Sequence, residues 1–169
     1  MLAEPRSSSG IDPMPPRPLA RTIHIYTIGF TKKPAEVFFG KLSRDGVRRV
    51  VDVRLQNVSQ LAGFTKRDDL RYFLRTICAL DYVHMPILSP TKELFDAIKK
   101  HGLDWDSYER RFLEILRARK IEDTVSRDLL DGACLLCTEE TPDHCHRRLV
   151  AEYLRDHWKP DVVEITHIV

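Results

Sequence analysis

No charge dominates this 169-residue chain: 27 Lys and Arg face 25 Asp and Glu, a formal net of +2. A dedicated nucleic-acid binder concentrates basic residues in a stripe, so overall charge gives no argument for that class. No apolar run has the length a bilayer demands, and no membrane partner is expected. The first residues are polar and proline-rich, without the apolar core of a secretory leader. Cysteine is sparse, at four residues, in a chain long enough to build its own core. Reduced thiols and a cytoplasmic location are therefore expected, not disulfide staples. No internal repeat is visible.

What is present divides into a tail and an alternating body. Residues 1–20 hold five of the ten prolines, with Ser7, Ser8, Ser9 and Gly10 among them. Such a composition cannot bury a core, so this segment is expected to be disordered. Its arginines Arg6 and Arg17, with Arg21 just beyond, leave contact with a polyanion open. From residue 21 onward one α/β domain is expected. Strands read over Thr22–Gly29, Val47–Val53, Asp81–Met85, Ala133–Cys137 and Val162–Ile168, where β-branched and aromatic residues cluster. Helical spacing runs from Pro34 to near Gly46, over Arg67–Cys78, Thr91–His101 and Asp104–Lys120, and over Cys145–His157. Leu55–Lys66 reads as a loop long enough to suspect function. Strands alternating with helices predict a mainly parallel sheet flanked by helices on both faces.

Chemistry concentrates where the fourth strand hands over to the last helix, from Leu135 to Arg148. Open α/β proteins place ligands at such carboxyl ends, and helix N-termini attract anions there. Cys134 and Cys137 share a Cys-x-x-Cys spacing, but positions three apart on a strand point to opposite faces. Cys134 is therefore read as core and a four-ligand zinc site is not expected. A partial site from Cys137, Cys145 and His146 or His144 stays open, although no metal and no cofactor are assigned. Cys145 near a helix N-terminus, beside His146 and Arg147, has its thiolate favoured; the plain alternative is a small buried apolar residue. Neighbours on a helix do not face each other, so His146 is expected to approach Cys137 or Glu139 instead of Cys145. Asp52 and Arg54 share a face of the second strand. A structural ion pair suits Asp52, while Arg54 could equally present its guanidinium to a phosphate or carboxylate. His84 ends a strand near the same rim. Trp105, Tyr108 and Phe112 are read as core packing, and the arginines of that long helix as a solvated face.

Six motifs in order carry a family resemblance: Thr27-Ile28-Gly29-Phe30, Val51-Asp52-Val53-Arg54, Ala62-Gly63-Phe64, Tyr82 to Pro86, Trp105 with Tyr108 and Phe112, and Leu135 to Glu139 followed by Cys145-His146-Arg147-Arg148. Together they resemble the bacterial and archaeal family called domain of unknown function 488, over essentially everything from Ile23 onward. Ala62 stands where the family usually has proline, and Ile87 where it often has an acidic residue. The resemblance implies an α/β fold and a candidate enzymatic site at the cysteine motif.

The residues themselves predict a pocket for a small anionic molecule, phosphorylated or nucleotide-like. Arg54 and Arg147 would bind the anion, Cys137 or Cys145 would supply the thiol, and Glu139 and His146 would act as acid–base or orienting groups. Two other classes remain open: a nucleic-acid-associated binding module and a metal-stabilised structural domain.

Overall fold

A computed structural model describes residues 19–44, 46–58 and 62–169. The proline-rich tail, up to residue 18, and the middle of the Leu55–Lys66 loop lie outside the described residues. Five strands, β1 (Thr22–Gly29), β2 (Arg49–Asp52), β3 (Asp81–His84), β4 (Ala133–Cys137) and β5 (Val162–Ile168), form one sheet in the order β3-β2-β4-β1-β5. Every pairing is parallel, as the strand–helix alternation predicts.

The period of two along each strand divides the apolar residues between two cores. Ile25, Val51, Val53, Leu135 and Cys137 face the helices α3 (Lys92–Lys100), α4 (Trp105–Ala118) and α7 (His146–His157). Ile28, Val50, Cys134 and Leu136 face α1 (Ala35–Leu42) and α2 (Arg67–Phe73) on the other side. Two single-turn helices, α5 (Ile121–Thr124) and α6 (Arg127–Leu130), lead into β4. No helix among the described residues is long and apolar enough to cross a membrane.

Several element ends differ from the sequence expectations, β2 among them at Arg49–Asp52 in place of Val47–Val53, and three other differences shape the fold. The helix expected over Arg67–Cys78 widens into a π turn at Leu74–Cys78 and ends at Ala79 in a left-handed conformation. The helix beginning near Pro34 stops at Leu42, four residues before Gly46. The last helix begins at His146, with Cys145 outside it as the N-cap in an extended conformation (φ −139°, ψ 134°). This one-residue difference decides the geometry of the site.

The chain leaves β1 through α1 on one face and leaves the adjacent β4 through α7 on the other. Neighbouring strands whose connections depart to opposite faces open a crevice at their carboxyl ends. The loops after β1, β2 and β4 meet there.

Candidate active site

Cys137 is the last residue of β4 and Cys145 caps α7; both are buried. Their sulfurs and a ring nitrogen of His146 lie within 4.8 Å of one another. His146 therefore does approach Cys145, contrary to the expectation that adjacent helical residues diverge. That rule holds between two helical residues, and Cys145 has extended dihedrals that swing its side chain back over the first turn.

The imidazole is held from both sides. Its Nε2 lies 2.8 Å from the Val53 carbonyl oxygen. A carbonyl only accepts, so Nε2 carries a hydrogen and Nδ1 is left as the free acceptor in the neutral ring. Phe112 packs edge-on against the ring at 5.6 Å. The Cys137 sulfur sits 3.5 Å from Nδ1 and 3.8 Å from Nε2, nearly equidistant from the two nitrogens. That places it off the carbon between them or over the ring, not on a nitrogen lone pair.

The two thiols are pushed in opposite directions. Burial pushes the Cys137 thiol well above its ordinary value, and the neighbouring Cys145 sulfur adds to the effect. Burial opposes ionisation of Cys145 too, but hydrogen bonding with Cys137 and His146 and the positive charge of His146 and Arg147 override it and bring it well below the ordinary range. The N-terminal dipole of α7 acts in the same direction. These directions favour ionisation at Cys145 over Cys137.

Among the described residues these three side chains are also the one set of His, Cys, Asp or Glu close enough to share a metal ion. A filled tetrahedral zinc site keeps sulfur and nitrogen about 2.0–2.3 Å from the ion, along the ligand lone pairs. The ring edge that faces Cys137 does not have that orientation.

The cluster floors a cavity of about 400 Å³. Phe30, Phe95, Trp105 and Tyr108 supply apolar walls, and Arg54, Lys99 and Glu139 the charged groups. Tyr108 and Phe112 are core residues as expected. Trp105 packs at the margin of that core: it is half-buried, stacks on Tyr108 at 5.1 Å and lies 5.1 Å from the His144 ring. Its indole N–H donates to Glu109, which also accepts from Arg148 on α7. Trp105, Phe95 and Lys99 were missed as site residues because helical spacing marks a stripe without marking where it rises past the sheet edge. Trp105 opens α4, one turn before the first buried residue of that stripe, and that position is the signal that could have found it.

Arg54 and Arg147 occupy different settings. Arg54 binds Asp52 bidentately, Nε to Oδ1 at 2.8 Å and Nη2 to Oδ2 at 2.7 Å, and donates to the Thr65 carbonyl. Tyr82 completes the site by donating to Asp52 at 2.7 Å. The Asp52 ion pair is thus formed, while Arg54 also lines the cavity with Nη1 unpartnered among the described residues. Arg147 is fully buried and absent from the cavity wall. It donates to the carbonyls of Glu139 at 2.8 Å and Glu140 at 3.4 Å, bracing the turn after β4 from beneath. Glu139 stands at the cavity wall in an ion pair with Lys99 at 2.8 Å, which ties α3 to that turn. The His84 ring bonds the Arg54 carbonyl at 2.9 Å, a structural contact.

Cys134 faces the core on the other side of the sheet, fully buried, as the strand period requires. Cys134→Ser is expected to cost about 1–3 kcal/mol in urea unfolding by burying a hydroxyl among apolar groups, with Cys145 alkylated as fast as before. A slowed Cys145 would show that the two faces of the sheet are coupled.

Fold and site define an α/β protein with a thiol–imidazole cluster at the carboxyl edge of a parallel sheet. The family profile described as Domain of unknown function DUF488 matches residues 34–154, from just before α1 into α7, and the chain belongs to that family. No curated protein and no solved structure matches the chain.

Proposed function

We propose that the protein is a thiol-dependent enzyme acting on a small anionic molecule. Cys145 is the nucleophile. Cys137 donates a hydrogen bond to its thiolate, and His146, oriented by Val53, moves protons through Nδ1. Arg54 offers Nη1 to the anionic group and Lys99 adds positive charge, held in place by Glu139. Arg147 acts indirectly, by supporting the turn that delivers Cys145. A planar body would stack on Trp105, a fit for a nucleotide-like ligand. A volume of about 400 Å³ lies within the range of small-molecule sites.

One observation carries this reading. The Cys145 sulfur stands at the N-terminus of α7 within 4.8 Å of a second thiol and an imidazole, and it opens onto a cavity. The test is iodoacetamide alkylation of Cys145 between pH 6 and 8, resolved by peptide mass mapping. A free thiol ionises near pH 8.5, so its rate falls about tenfold per unit below that. Cys145, its ionisation shifted downward, is expected to lose rate less steeply than free cysteine across this window. Cys137→Ala removes the donor and should restore the steeper fall. A wild-type profile parallel to that of free cysteine would rule out the nucleophile.

A further inference from the structure

Attack by Cys145 leaves the second thiol of the site unspent. Cys137 lines the same cavity, and its sulfur lies within 4.8 Å of Cys145. A disulfide needs about 2.05 Å between sulfurs. The two sulfurs must therefore approach further, and Cys145, as N-cap, stands outside the helix, where its side chain is not fixed by helical packing. Cys134, the other cysteine at close sequence spacing, is on the far face of the sheet and cannot take this part. The cavity is far larger than a peroxide needs, and its walls are aromatic with a cationic group at Arg54.

We propose that Cys137 is a resolving thiol and that the substrate class is a small organic disulfide bearing an anionic group. The proposal rests on Cys145 being the attacking sulfur. In the first step the Cys145 thiolate attacks one sulfur of RS–SR′. The S–S bond of the ligand breaks, R′S⁻ leaves and is protonated from solvent, and Cys145 is joined to RS in a mixed disulfide. In the second step Cys137 turns off the ring edge it faces at rest, its proton passes to His146 Nδ1, and its sulfur attacks the Cys145 sulfur. The Cys137–Cys145 bond forms, and RS⁻ leaves with the proton returned by His146. The ligand disulfide is reduced to two thiols and the two protein thiols are oxidised to one disulfide. An external dithiol, such as dithiothreitol in an assay, returns the protein to its starting state.

The test exposes the reduced, full-length protein to oxidised glutathione without oxygen, quenches with N-ethylmaleimide and reads intact mass and peptide maps. Wild type is expected to become about 2 Da lighter through a Cys137–Cys145 bridge, with two glutathiones released per chain. Cys137→Ser and Cys137→Ala should instead accumulate glutathione on Cys145, and Cys145→Ser should react at least about a hundredfold more slowly. A stable mixed disulfide on Cys145 in wild type as well as in the Cys137 variants would overturn the resolving role and leave the nucleophile standing. No reaction with the disulfide, while Cys145 alkylates rapidly, would overturn the substrate class. Slow alkylation and no exchange would overturn both readings. A stoichiometric metal ion held by the two thiols in protein purified without added metal would overturn the exchange chemistry.

Discussion

Arg54→Ala is expected to destabilise the protein by about 3–5 kcal/mol, because it strands a buried carboxylate. Asp52 is fully buried, and three of its hydrogen bonds come from Arg54: the backbone N–H, Nε and Nη2. The alanine variant keeps the first and loses the two charged donors, leaving Tyr82 as the one side-chain donor to the carboxylate. It also frees the Thr65 carbonyl, which Nη2 holds at 2.8 Å. Urea unfolding at neutral pH measures the loss. Replacing the pair together, Asp52→Leu with Arg54→Met, should recover much of it, since no uncompensated charge remains. A cost for Arg54→Ala below about 1 kcal/mol, the range of exposed pairs, would mean that water reaches Asp52. Any ligand-binding role of Arg54 has to be read from Nη1 alone, because its other nitrogens already serve the fold.

The second large effect is expected at Gly29→Ala. A Cβ there would stand 1.6 Å from the Glu139 carbonyl oxygen and 2.7 Å from its carbon. The obstacle is backbone, and Arg147 holds that oxygen at 2.8 Å from below. The turn after β4 would have to lift, taking with it the segment that positions Cys145. A loss of about 3 kcal/mol, the upper end of ordinary overpacking, is expected, together with a fall of Cys145 alkylation toward the rate of a free thiol. Gly40→Ala is the control. Gly40 sits inside α1 with nothing within 4 Å of an added Cβ, and alanine in a helix is favoured by about 1 kcal/mol over glycine. Equal effects at the two positions would remove the steric explanation.

The sequence alone determined the α/β class, the parallel sheet and the separation of Cys134 from Cys137. Each follows from a local period: two along a strand, about 3.6 along a helix. The end of β4 as the chemical centre was also legible, since an apolar run breaking into thiols, acids and imidazoles before a helix is a local pattern. The tertiary structure alone decided the rest. β4 lies between β1 and β2 through pairings that no periodicity encodes. His146 takes its orientation from Val53, 93 residues away, and Trp105, Phe95 and Lys99 reach the cavity only because α3 and α4 pack above that sheet edge. Arg147, charged and next to the cluster in sequence, is turned beneath the loop by two carbonyls that need a donor there. Cys145 meets His146 because the helix starts one residue later than its apolar spacing implies. A cap residue belongs to the turn before it, and the packing of that turn against β1 and α3 is a long-range matter.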